Sequence, residues 1–108
     1  MVNEILTQAG VPYRRTRFTS PPGGTYAVYV HDKSSGGADG LHLLTESSIT
    51  VNLYEPEPDD AAEEAMEQAI DAFGLPWNKQ DRVWLPDEQR YQVTYTFTYT
   101  EKRRMNYG

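Results

Sequence analysis

The chain has 108 residues, 16 acidic and 10 basic, for a net charge of −6, and no cysteine. That length predicts one domain over residues 1–108 with a modest core. It excludes a disulfide framework and a thiolate metal site, and no apolar run reaches the roughly 20 residues of a membrane span. The start, MVNEILTQAG, lacks the charged-then-apolar layout of a signal peptide. The charge is uneven. Ser34 to Asn78 holds ten carboxylates and no Lys or Arg, preceded by four basic against two acidic residues and followed by six against four. An acidic balance also argues against nucleic-acid binding across the surface, which needs cations to neutralise phosphates.

Val2, Ile5, Leu6 and Ala9 fall at i, i+3, i+4 and i+7 and predict a short helix over residues 1–10, closed by Gly10 and stopped by Pro12. Arg14 to Gly24 reads as a connector ending in the turn Ser20-Pro21-Pro22-Gly23-Gly24. Thr25 to His31 is β-branched and aromatic and predicts a strand. Lys33 to Gly40 predicts a flexible hairpin tip. Leu41, Leu43, Ile49, Val51 and Leu53 share parity and predict one long strand to Glu55, bulged near Glu46-Ser47-Ser48. Asp59 or Asp60 caps a helix running to about Phe73, with Ala62, Met66, Ala69, Ile70 and Phe73 inward and Glu63, Glu64, Glu67 and Asp71 in solvent. Gly74 and Pro76 end it. Arg82 to Leu85 predicts a short strand and Pro86-Asp87-Glu88 a turn. From Arg90 to Thr100, Tyr91, Val93, Tyr95, Phe97 and Tyr99 alternate with Gln92, Thr94, Thr96, Thr98 and Thr100, a strand with one aromatic and one Thr face. Residues 101–108 read as a polar basic tail.

Leu, Ile, Val and Phe total only 20 of 108 residues, which with this charge borders on a disordered composition. Eight Tyr and two Trp restore apolar area, and the periodicity is that of a folded chain. The order helix, strand, strand, helix, strand, strand predicts an α+β two-layer sandwich. Its sheet has about four mainly antiparallel strands, with both helices on one face and an α+β core over residues 25–100.

Little in the sequence converges as catalysis requires. His31 and His42 flank the expected hairpin tip and could meet across it to bind a metal with Asp32 or Asp39; the plainer alternative is two strand-end histidines, since metal sites need three or four placed ligands. Gly23-Gly24 and Gly36-Gly37 open no helix after a strand and fit turns rather than phosphate loops. Most acidic runs are solvated helix faces, yet this one continues back through Glu55 and Glu57. The basic groups that could meet it are Arg14, Arg15, Arg17 and the Lys102-Arg103-Arg104 tail. The uncharged Thr face is either ordinary solvated surface or a flat polar contact surface.

The segments Tyr26-Ala27-Val28-Tyr29-Val30, Gly37-Ala38-Asp39-Gly40, Ile49-Thr50-Val51-Asn52-Leu53-Tyr54, the acidic helix ending Phe73-Gly74-Leu75, and Tyr91-Gln92-Val93-Thr94-Tyr95-Thr96-Phe97 follow one another in a characteristic layout. In that layout the chain resembles the small tail-terminator, or tail-completion, proteins of long-tailed bacteriophages and prophages, over Thr25 to Lys102. The resemblance implies a small α+β sandwich and a non-enzymatic virion protein, with no catalytic residue, cofactor or metal to carry over. It implies a ring of identical subunits, often a hexamer, that caps the tail tube and joins it to the head connector. The expected partners are therefore further copies of itself, a tail-tube protein and a head–tail connector protein, with no membrane and no sequence-specific nucleic acid. The expected location is the virion tail or neck, reached from the host cytoplasm.

In such a ring one patch of each subunit meets a different patch of the next. The expected acidic side is Glu55, Glu57, Asp59, Asp60, Glu63, Glu64, Glu67 and Asp71. The basic side is Arg14, Arg15, Arg17, Lys102, Arg103 and Arg104. The loop Lys33, Ser34, Ser35, Gly36, Gly37, Ala38, Asp39 and Gly40 is the expected docking element for a neighbouring tube or connector protein. The alternatives are a monomeric adaptor of neck or head-closure type, binding one protein through the Thr face or acidic helix, and a small metal-binding protein using His31 and His42.

Overall fold

The first helix, α1 (Val2–Ala9), buries Val2, Ile5, Leu6 and Ala9, the stripe its spacing predicts, and Gly10 ends it at φ 82°. The computed structural model describes residues 1–39 and 42–104, and side chains outside 35–43 and 102–104. After α1 come β1 (Tyr13–Arg15), β2 (Tyr26–Asp39), β3 (His42–Glu55), α2 (Asp60–Ala72), β4 (Trp77–Lys79), β5 (Val83–Leu85) and β6 (Arg90–Arg104). The class is α+β, as expected, but the sheet has six strands rather than four, in the order β1-β2-β3-β6-β4 with β5 also on β6. It is mixed, because β1 pairs with β2 in parallel while the other pairs are antiparallel. The two extra strands are three-residue pieces, Tyr13-Arg14-Arg15 and Trp77-Asn78-Lys79, too short to show alternation.

One face of this sheet carries the core. Tyr29, Val51 and Tyr95 stand side by side across β2, β3 and β6, as do Ala27, Leu53 and Val93. These side chains are buried against Ile5 and Leu6 of α1 and Met66, Ala69 and Ile70 of α2, so both helices lie on the same face. The aromatic side of β6 points inward: Val93, Tyr95, Phe97 and Tyr99 are buried, while Thr98 and Thr100 are exposed and Thr94 and Thr96 half-buried.

The structure corrects two local expectations. The segment expected to be a loop tip, Lys33–Gly40, is strand through Asp39, and Gly40 lies outside the described residues. The irregularity expected in β3 near Ser47 falls instead in β2, where Gly36 and Gly37 oppose the single residue Leu44 between the pairs Ser35↔Thr45 and Ala38↔Leu43. Glycine accommodates the local twist of a bulge at little steric cost. Glu101–Arg104, expected as tail, continues β6 to the partner of His42, and residues 105–108 lie outside the described residues.

Past its contacts with β1, at Ala27–Tyr29, and with β4, at Tyr95–Phe97, the sheet narrows to β2, β3 and β6 alone. This three-stranded arm lengthens the molecule to 51 Å against widths of 27 and 21 Å.

The N-terminus of α2 is tied down by Asp59. Its Oδ1 accepts from Ala62 N–H at 3.0 Å, and its Oδ2 accepts from the Thr25 hydroxyl at 2.7 Å. Asp59→Ala removes a helix cap and a tie to the β2 end of the sheet, and should cost about 1.5 kcal/mol in urea unfolding. Asp59→Ser should retain the larger part of the cap.

Candidate functional site

The acidic run gathers where the end of β3 meets α2. Glu55 shares the inward parity of Ile49, Val51 and Leu53, so its side chain is fully buried at 0% exposure. On α2, Glu63 precedes Met66 and Ile70 by three and seven residues, and it is buried on the same stripe rather than in solvent as expected. Glu67 also deviates, being half-buried. The cations that meet these carboxylates come from the segment after the helix. Arg82 reaches Glu55 at 3.3 Å, Asp60 at 3.0 Å and Glu63 at 2.6 Å. Lys79 reaches Glu63 at 2.9 Å and Glu67 at 2.8 Å. From beneath, the Tyr95 hydroxyl donates to Glu67 Oε2 at 2.7 Å.

Glu55 Oε1 also accepts from Asp59 N–H at 3.2 Å, while its buried Oε2 has no hydrogen-bond partner among the described residues. Burial, then the neighbouring Glu63 carboxyl, pushes Glu55 up to about 7. Burial also acts to raise Glu63, but the neighbouring Glu55 carboxyl and the bonds from Lys79 and Arg82 outweigh it and hold Glu63 well below the usual carboxylate range. Burial raises the Tyr95 hydroxyl, and the Glu67 carboxylate raises it further, so it stays a donor. The cluster is a folded-in ion network built around two buried carboxyls.

The two carboxyls give stability opposite dependences on pH. Glu63, lowered on folding, contributes stability that is lost as pH falls below the ordinary carboxylate value. Glu55, raised on folding, keeps its proton where the unfolded chain has lost it, so stability falls as pH rises from about 4.5 to about 7. Glu55→Gln mimics the neutral carboxyl. The variant should match wild type near pH 4.5 and exceed it at pH 8 by on the order of 2 kcal/mol in denaturant unfolding. A wild type equally favoured over the variant at both pH values would show that Glu55 is ionised throughout.

The other expected interface residues fall at two edges of the sheet. Around the β4 edge lie Asp60, Glu63, Glu64, Glu67 and Asp71 of α2. Glu64 accepts from Gln68, and Asp71 accepts from Trp77 Nε1 at 2.8 Å. Glu57 is exposed in the turn before α2. At the opposite edge, β1 presents Arg14 and Arg15, followed by Arg17, all exposed. Arg15 donates to the His31 carbonyl at 3.3 Å, and Arg14 lies over the Phe18 ring. The structure therefore brings the acidic group to Lys79 and Arg82 and keeps it apart from the β1 arginines. The side chains of Lys102, Arg103 and Arg104 lie outside the described residues, as do those of Ser35 to Gly40. Lys33 and Ser34 are exposed on β2.

His31 sits on the arm with its ring 6.2 Å from Tyr99, and burial, then Lys33 and Arg15, lowers its pKa. The His42 side chain lies outside the described residues. Among the described residues no three His, Cys, Asp or Glu side chains are placed to hold a metal ion. No helix there is long and apolar enough to cross a membrane.

A second feature went unread in the sequence. Arg90 donates to the carbonyls of Pro22, Gly23 and Gly24 and stacks 5.1 Å over Tyr26, pinning the proline-glycine turn across the sheet. Tyr26 stacks on Tyr54 at 5.2 Å and meets the edge of Phe18 at 5.1 Å. These aromatics line an open cleft of about 380 Å³ on the face away from the helices. The only sequence sign was the strand parity that sets Tyr26, Val28 and Tyr54 opposite the core. No protein-family model matches the chain, and no curated protein sequence matches it.

Proposed function

We propose that this protein is a structural component of a phage or prophage tail end, a terminator or head–tail joining protein that works as a ring of identical subunits. The observation that supports this most is the placement of unlike charge at opposite edges of one sheet. Carboxylates of α2 border the β4 edge, and Arg14, Arg15 and Arg17 border the β1 edge. A subunit with two unlike, complementary flanks suits head-to-tail contacts that close into a ring. Because Lys79 and Arg82 already engage Glu55, Asp60, Glu63 and Glu67, the carboxylates freest to meet a neighbour are Glu57 and Glu64. Such exposed pairs set orientation and assembly rate more than affinity. The arm of β2, β3 and β6 is the element proposed to reach the tube or connector protein.

Two measurements test this. Light scattering across concentration and salt should give one defined oligomer, weakened by salt; a strict monomer at high concentration and low salt overturns the ring. Mass spectrometry of particles purified from the phage or prophage carrying this sequence should find the protein at a fixed low copy number. Its absence from particles overturns the virion role.

A further inference from the structure

We propose that the arm is itself an assembly element: the open edge of β2 in one copy pairs in parallel with the open edge of β6 in the next. The pairing rests on the proposed ring for its closure, but its chemistry comes from the strands. On the outer side of β2, Ala27 N–H donates to Pro12 and the Tyr29 carbonyl accepts from Thr16 N–H. Strand alternation then turns the backbone groups of His31, Lys33 and Ser35 outward as well. On the outer side of β6, the Thr94 carbonyl accepts from Gln80 N–H, so Thr98 and Thr100 also turn outward. β1 stops pairing at Tyr29 and β4 at Phe97. Among the described residues, Arg15 of β1 reaches the His31 carbonyl, and past it no strand covers the main chain of β2, nor that of β6 from Thr98. Two long open edges on one arm are templates for another strand.

Direction and charge decide which strand. β2 and β6 both run antiparallel to β3, so they are parallel to each other, and copies repeated in the same sense bring β2 against β6 in parallel. Over the stretch that pairs, the β2 edge carries Asp32 and Lys33, and the β6 edge carries only Glu101. Lys33 of β2 can then meet Glu101 of β6, whereas two β6 edges bring only like charge together. The bulge at Gly36-Gly37 breaks the regular edge, so the pairing runs over His31–Ser35. Ser34 and Thr100 both pair with Glu46, which puts them at the same level on the same face, both exposed.

The chain has no native cysteine, so engineered ones report cleanly. The full-length double variant Ser34→Cys with Thr100→Cys, treated with a short bis-maleimide, should give a ladder from dimer to the full ring. Each single variant should give no cross-link. Dimers from Ser34→Cys alone mean β2 meets β2, and dimers from Thr100→Cys alone mean β6 meets β6; either result overturns the proposal. Thr100→Pro removes one outward N–H of an edge strand and leaves the β3 ladder intact. It should raise the concentration for association about tenfold without changing the circular dichroism spectrum. An oligomer of unchanged affinity in Thr100→Pro, together with no ladder in the double variant, overturns edge pairing and leaves the ring standing. A ladder from a protein absent from purified particles sustains edge pairing and overturns the virion role. A monomer at every concentration overturns both.

Discussion

Tyr95→Ala should cost about 4 kcal/mol and lower Tm by roughly 15–20 °C. Tyr95 is fully buried at the middle of β6, between Val51 of β3 and Lys79 of β4. Its ring packs edge-on against Trp77 at 5.8 Å, and the Lys79 ammonium lies 5.6 Å over its face. Truncation leaves a cavity under α2 and strips the Glu67 carboxylate of its buried donor. Tyr95→Phe separates the two contributions. It keeps the ring and loses only the hydroxyl, so it should cost about 1.5 kcal/mol. Urea unfolding of both variants checks this, and equal losses would mean that the hydroxyl, not the packing, matters most at this position.

Arg82→Ala should cost about 3 kcal/mol, because removing one partner of a buried ion network leaves the others uncompensated. Among the described residues, Arg82 is the one cation that contacts Glu55, Asp60 and Glu63 together. Its own side chain is 30% exposed, which keeps the expected loss at the low end of the range for buried pairs. Arg82→Ala combined with Glu63→Gln should lose less than the sum of the two single variants, since Glu63 needs no counter-charge once it is neutral. Strict additivity in thermal and urea unfolding would show that the two side chains do not act as one unit. Arg82→Lys should recover only part of the loss, because an ammonium cannot hold three carboxylates in one planar fork.

These two positions also show what could be read before the fold was known. Tyr95 was legible: its alternation with Thr94 and Thr96 marks the inward face of a strand, and a period of two needs no partner to be recognised. The network around Arg82 was not. Glu63 sits on the apolar stripe with Met66 and Ile70, and Glu55 sits in phase with Val51 and Leu53. Both patterns stand in the sequence, but a carboxylate at a buried position is indistinguishable from a solvated one until its cation is found. That cation lies 19 residues beyond Glu63, across a helix end and a short strand. β1 and β4 were illegible for a related reason: Tyr13-Arg14-Arg15 and Trp77-Asn78-Lys79 are too short to alternate and lack the β-branched and aliphatic residues that marked Val83-Trp84-Leu85.

By itself, the sequence determined both helices, the inward stripe of α1 and the apolar part of that of α2, the two faces of β6 and the α+β class, because each follows from local periodicity and from Gly and Pro backbone preferences. Only the tertiary structure decided how the acidic centre is neutralised. Seen along the chain it is ten carboxylates without a cation; in the fold, Lys79 and Arg82 return to it. The tertiary structure also decided that the segment through Gly36-Gly37 is a strand with an open edge. Long-range pairing with β3 outweighs the turn preference of glycine there, a competition that residues 33–39 alone do not settle.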